Sequence, residues 1–265
     1  MIENRYRVGI HDFLNSRPFL YPFKHGLADA PFDIVTLPPA TLAKEFHANN
    51  IDIGLIPSIE YARGYSAKII RPYCIASLGE VSSVLLYSDR PLEEIESVAI
   101  DPKSRTSVVM MQILFKELFD NDVALTVAPD GDPMRGMEVA HAGLIIGDLA
   151  FEVDNEKLLT YDLGKLWYQF SGRPFVHALF VTKHLSDIDF AIDALNSGIK
   201  YGLEHLAHVI KSEKESSLTE DILFDYLGKR IIYKLDATIE EGLIYFFELA
   251  SKWKLINQVE LKFYE

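Results

Sequence analysis

Cysteine is almost missing from this chain of 265 residues: Cys74 stands alone, so no internal disulfide forms and no cysteine-based zinc site can be assembled. The eight histidines show no HExxH and no metal-ligand spacing, and the sequence has no GxGxxG, GxSxG or paired-cysteine motif. A bound metal or nucleotide cofactor is therefore not expected. Positive charge is also scarce, with 26 Lys and Arg against 39 Asp and Glu and a formal net charge of −13. Bulk attraction to nucleic acid or an anionic membrane is excluded on that ground, and an anionic ligand would need a local cluster of donors. No apolar run is long enough to span a bilayer, and the first residues, MIENRYRVGIHDFLNSRPF, lack the apolar core of an export signal, so a cytoplasmic location is expected. Low-complexity tracts, internal repeats and Gly/Ser-rich linkers are absent as well.

What is present is a globular composition, 49% apolar and 25% charged. Strand-like and helix-like segments alternate. Residues 7–11, 32–37 and 51–56 read as strands, and helical spacing follows the second of these at Leu42, Ala43 and Phe46. The first sixty residues thus read β-α-β-α-β-α, which predicts a parallel sheet. Further strands are expected at 74–77, 81–88, 97–100, 124–129, 142–148 and 175–182, and a helix at 106–119. Residues 186–254 read as mostly helical, with start signals at Ser186/Asp189 and Thr238/Glu241.

Two α/β units closed by C-terminal helices predict two lobes with a cleft between them. The expected division is 1–88 plus 180–265 for the first lobe and 89–179 for the second. Ligands of such sheets sit beyond the carboxyl ends of strands, and five polar clusters lie at such ends. Asn15-Ser16-Arg17-Pro18 follows the first strand. Asn15 either caps a helix started by Pro18 or aims its amide, both donor and acceptor, into the cleft. Ser58 follows the 51–56 strand, as a cap or with its N–H toward a ligand. Ser82 and Ser83 follow Gly79, and strand alternation lets only one of them reach the cleft. Gly147-Asp148 ends the 142–148 strand, with Asp148 either a hydrogen-bonding or basic group or a cap.

The fifth cluster, Ser104-Arg105-Thr106-Ser107, gathers a cation and hydroxyls at a helix start. Free N–H groups and the positive end of the helix dipole make an anion site there, and Arg105 can grip a carboxylate through two nitrogens. The alternative is a capped helix with a solvated Arg and Lys. The cluster is not a P-loop, because its glycines and Gly-Lys-Ser/Thr are missing. His177, among Phe175, Val176, Ala178 and Leu179, reads as a packed strand residue.

FLNSRPF, DIGLIPSIEYAR, GEVSSVLLYS, DPKSRTS, LIIGDLA and YDLGKLWYQFSGRPFV occur in that order. Together they resemble the chorismate dehydratase family of the futalosine route to menaquinone, over about residues 8–180. Arg173 and His177 depart from the family pattern, which has leucine and an aromatic there. The resemblance implies a two-lobed, periplasmic binding protein type II-like α/β fold and a hydro-lyase without cofactor. The implied reaction converts chorismate to 3-[(1-carboxyvinyl)oxy]benzoate and water. It also implies catalytic roles for Asn15 and Ser83, carboxylate binding by Arg105, Thr106 and Ser107, and a pocket lined by Ser58, Gly147 and Asp148, with Ser16, Arg17, Ser82 and Ser104 beside them. The expected partner is a small molecule, and the oligomeric state is left open. The alternatives are the pathway's 1,4-dihydroxy-6-naphthoate synthase, expected to read LIIHE where this chain reads LIIGD, a non-catalytic solute-binding protein, and a dehydratase of another cyclohexadienyl acid.

Overall fold

The computed structural model describes residues 5–64, 66–153, 157–213 and 217–265. Its eleven strands form two sheets. The first contains β1 (Tyr6–Ile10), β2 (Phe32–Thr36), β3 (Ile53–Pro57), β4 (Lys68–Ser77), β10 (Phe175–Thr182) and β11 (Ile231–Lys234), in the order β11-β4-β10-β3-β1-β2. The second contains β5 (Val84–Ser88), β6 (Ser97–Ile100), β7 (Ala124–Val127), β8 (Ala142–Ile146) and β9 (Leu159–Asp162), in the order β7-β6-β8-β5-β9. β1 pairs in parallel with both β2 and β3, as the alternating start of the chain predicts, and β6 pairs in parallel with β7 and β8. This is a two-lobed α/β fold.

The sheets divide the chain differently from the expected 1–88/89–179/180–265 boundaries. β5 pairs with β8 and β9, so it belongs to the second sheet, whereas all of β10 lies in the first, between β3 and β4. The chain therefore changes sheets between Ser77 and Val84 and returns between Asp162 and Phe175. Two strands lie outside the expected set: β9, and β11 inside the stretch read as helical.

Among the described residues ten α-helices accompany these sheets: α1 (Arg17–Lys24), α2 (Pro39–His47), α3 (Ser58–Arg63), α4 (Thr106–Phe119), α5 (Pro133–Gly136), α6 (Leu163–Ser171), α7 (Asp189–Glu204), α8 (Leu206–Ser212), α9 (Glu220–Asp225) and α10 (Ala237–Lys252). Helix α10 starts where the Asp236 carboxylate accepts the Ile239 N–H at 3.1 Å, earlier than the Thr238/Glu241 signal. It buries Ile239, Leu243, Phe246 and Phe247, one face at helical spacing. Trp167 of α6 is fully buried between Phe175 and Phe246, with ring centroids 5.1 and 5.9 Å away. An indole of that size contributes a few kcal/mol of apolar burial. Because α6 follows the second sheet while Phe175 and Phe246 belong with the first, this contact runs the apolar core through both lobes.

Candidate functional site

A cleft opens where the strand tips of the two sheets face each other. The first sheet contributes His11, just past β1, Asn15 from the turn after it, Pro57 at the end of β3, Ile75, and His177 with Ala178 from β10. The second contributes Ser83 and Val84 at the start of β5, Ile146 and Gly147 at the end of β8, and Lys103 with Arg105, Thr106 and Ser107 at the β6–α4 junction. Asn15, Ser83, Arg105, Thr106, Ser107 and Gly147, six of the expected site residues, thus share one hollow.

The other six do not line it. The Ser16 hydroxyl is buried and donates to the His11 carbonyl at 2.6 Å, with His11 Nδ1 2.9 Å away. Arg17 pairs with Asp12 and with Glu213, the latter at 3.2 Å. Ser58 donates to the Val176 carbonyl at 2.7 Å. Ser82 turns to the opposite side, where Arg230 donates to its Oγ at 2.6 Å. The Ser104 hydroxyl is buried behind the helix start. Asp148 accepts the Leu14 N–H at 2.9 Å. Ser16, Ser58 and Asp148 are consumed by holding backbone, because a strand tip leaves N–H and C=O groups that need partners. Arg17 and Ser82 are held by charged side chains, and the Ser104 hydroxyl has no partner among the described residues.

The β6–α4 wall carries positive potential. The 14-residue α4 begins at Thr106 with no side chain capping it, so its first N–H groups are left for water or a ligand. Among the described residues neither Lys103 nor Arg105 forms an ion pair. Thr106 is partly occupied: its hydroxyl receives the Ile59 N–H and donates to the His177 carbonyl, both at 3.3 Å, stitching the two lobes. Ser107 is buried, lines the cleft, and its hydroxyl has no partner among the described residues.

The facing wall is built around a residue that sequence reasoning missed. Tyr226, fully enclosed, accepts an N–H from Asn15 Nδ2 at 3.2 Å and donates to Ser83 Oγ at 2.9 Å. Burial pushes its phenol pKa upward, so the proton stays on. The loop bearing Ser83 is held firmly. Ser82 adopts a left-handed backbone (φ +63°), which a non-glycine residue keeps only where its surroundings impose it. Here the Asp162 carboxylate takes the Val81 and Ser82 N–H groups at 3.0 and 2.6 Å, and Arg230 holds the Ser82 hydroxyl.

Two more missed residues are His11 and His177. Burial lowers their pKa values to about 3 and about 4, so both imidazoles are neutral in the fold. His177 bonds Ser77 Oγ at 2.9 Å, which is the packed-strand role expected of it, yet its ring also borders the cleft. Ser16 cannot donate both to the His11 carbonyl at 2.6 Å and to the imidazole, so His11 Nδ1 carries the proton and Nε2 a lone pair. The carboxyl of Asp148 is raised by burial to about 6, opposed by the Leu14 N–H and by Arg17. Cys74 is buried and inert. Among the described residues no group of three or more His, Cys, Asp or Glu side chains could hold a metal ion, and no helix is long and apolar enough to cross a membrane.

The arrangement brings a donor-rich helix start with two cations into one cleft with Asn15 and Ser83, which Tyr226 links. A chorismate dehydratase of Thermus thermophilus is 24% identical over 259 residues, covering 92% of this chain and 94% of that protein. The crystal structure of a protein from Archaeoglobus fulgidus superposes with a TM-score of 0.75 at 15% identity, covering 97% of this chain and all of that one. A Candida albicans protein described as having the generic periplasmic binding protein fold gives a TM-score of 0.62 at 12% identity, covering 97% and 92%. The architecture is accordingly the periplasmic binding protein fold. A family model described as menaquinone biosynthesis matches residues 6–252, nearly the whole sequence, and the chain belongs to that family.

Proposed function

We propose that the chain dehydrates chorismate to 3-[(1-carboxyvinyl)oxy]benzoate in the futalosine route to menaquinone. The observation that carries this reading is the pairing, across one cleft, of unpaired Arg105 and Lys103 at a helix start with the Asn15–Tyr226–Ser83 group. Chorismate is a dianion. Its carboxylates find N–H groups, the Ser107 hydroxyl and two cations on the first wall, in a chain otherwise strongly negative.

The reaction breaks one ring C–H bond and the ring C–OH bond, and the product is an aromatic ring plus water. No electrons are gained or lost, so no redox partner enters. The departing ring proton is vinylogous to the ring carboxylate, and hydrogen bonds to that carboxylate stabilise the charge that develops on it. In this reading the Ser83 hydroxyl donates to the leaving oxygen, and the Asn15 carbonyl accepts from the ring hydroxyl and orients it. Aromatisation supplies the driving force, so the protein's work is to hold and polarise the ring while Phe13, Ile75 and Ala178 exclude water.

Gly147 favours this reading over the naphthoate synthase. Its φ is +69°, and a Cβ there would lie 3.0 Å from the Phe13 ring, so a histidine here would strain the backbone and push Phe13 aside. The test is to incubate the purified protein with chorismate, without added metal or nucleotide, and follow the aromatic product. Chorismate bound but returned unchanged would hand the cleft to the solute-binding reading, and failure to bind would remove the assignment.

A further inference from the structure

The Tyr226 hydroxyl carries a single proton, and the two groups it touches cannot both receive it. The bond to Ser83 Oγ is the shorter, 2.9 Å against 3.2 Å, and there the phenol donates, while on its other side it accepts from Asn15 Nδ2. Each partner's remaining capacity follows by counting protons and lone pairs. Ser83, receiving on oxygen, keeps its own O–H; among the described residues that proton meets no acceptor. Asn15, giving an N–H to the phenol, turns its Oδ1 away; that atom is buried and has no partner.

From this we infer that Tyr226 is a positioning residue for the dehydration: its hydroxyl dictates that Asn15 faces the cleft as an acceptor and Ser83 as a donor. Without the phenol both side chains are free to turn over, since an amide and a hydroxyl each present either polarity. The inference rests on the dehydratase reading of this cleft. It adds a residue that lies 143 positions from Ser83 and 211 from Asn15 in the chain.

The surroundings fit a residue held for aim rather than for volume alone. Tyr226 opens a one-turn π-helical segment, Tyr226–Arg230, a wound-out turn that often marks a functional position. Arg230, at its far end, bonds Asp225 and the Ser82 hydroxyl, both at 2.6 Å, and also Glu80. The turn bearing Tyr226 and the loop bearing Ser83 are thereby fastened to each other. Phe151 packs edge-on against the phenol ring, 4.9 Å between centroids, and limits its tilt.

The test is a mutant cycle on Tyr226→Phe, which keeps the ring and deletes the hydroxyl. Y226F should lower kcat for chorismate about 10- to 100-fold while KM moves less than about threefold, because aim is lost and the carboxylate wall is untouched. In an S83A or N15A background the same change should cost less than about twofold more, since the group being aimed is already gone. A kcat near that of the parent, or effects that multiply independently, would overturn the inference. If Y226F fails to fold, S83A and N15A measured singly and together carry the test: coupling through the phenol predicts non-additive losses, and additive losses refute it. The side-chain amide resonances of Asn15, assigned with N15A, give a readout independent of turnover. One Nδ2 proton should be protected from exchange in the parent and lose that protection in Y226F. An unchanged Asn15 amide refutes the positioning role, whereas a parent protein inactive on chorismate but showing the protected proton refutes the dehydratase reading alone.

Discussion

The carboxylate of Asp148, just beyond the last strand of the second sheet's parallel core, accepts the backbone N–H of Leu14 from the first lobe at 2.9 Å. One carboxylate thus fastens the floor of the cleft to the turn that carries Asn15. Because burial raises its pKa from the ordinary 3.8 to about 6, the folded state binds this proton more tightly than the unfolded chain does. Its contribution to stability is full below about pH 4 and is lost as pH rises towards about 6. Asp148→Asn keeps an oxygen for the Leu14 N–H and removes the titration. The variant should be more stable than the parent near pH 7.5, by about 1–3 kcal/mol, and should gain nothing at pH 4. Urea denaturation at the two pH values measures both, and equal differences at the two would contradict the role given to Asp148.

His11 and His177 tilt stability the other way. Both are lowered by burial, to about 3 and about 4, so the unfolded chain takes up protons near pH 6.5 that the folded one refuses. Their contribution is full above about pH 6.5 and falls as the solution is acidified, by about 1.4 kcal/mol per pH unit for each histidine. His177→Gln retains a polar group for Ser77 and should flatten the acid limb by about one proton. An unchanged limb would place the acid sensitivity elsewhere.

Much of this fold can be read from the sequence because the information is local. The β-α-β-α-β-α start shows itself as short apolar runs stopped by Pro38 and Pro57, and the helix at 106–119 matches its observed bounds. What escapes is set at long range. Whether the strand before Ser88 joins the first sheet or the second depends on partners at Ala142–Ile146 and Leu159–Asp162, and no residue within 81–88 encodes that choice. β11 is four residues embedded among helices, too short for periodicity to reveal it. In the site, the helix-start cluster is legible because a cation and hydroxyls stand together in sequence. Tyr226 is not, since nothing around it in FDYLGKR marks a link to Asn15 and Ser83. Ser16 and Ser58 mislead for a physical reason: at a strand tip a hydroxyl serves equally well to satisfy backbone as to meet a ligand.

Replacing Arg105 by alanine should weaken substrate binding by about 1.5–3 kcal/mol, the range for a lost charge-assisted hydrogen bond. The expected signature is chiefly a raised KM, with a smaller fall in kcat, because the cation already pairs with a carboxylate in the ground state and loses only its added pull on the developing charge. Steady-state kinetics at low salt checks this. An unchanged KM and kcat would take Arg105 out of the cradle.

For Asn15→Ala the expectation is reversed. Its carboxamide meets the reacting part of the ring, so kcat should fall by about 100-fold or more while binding persists. Circular dichroism should show the fold intact, since Asn15 reaches the rest of the structure through the single bond to Tyr226. Turnover within a few-fold of the parent would remove it from the chemistry.

The central claim is that a dianionic ring compound loses water between these two walls. Chorismate deuterated at the ring carbon bearing the enol ether, followed by mass spectrometry, tests it most directly. The account predicts an aromatic product that retains the enolpyruvyl group, has lost the elements of water, and carries no deuterium. Recovery of intact deuterated chorismate, or a product that has shed pyruvate, would contradict it.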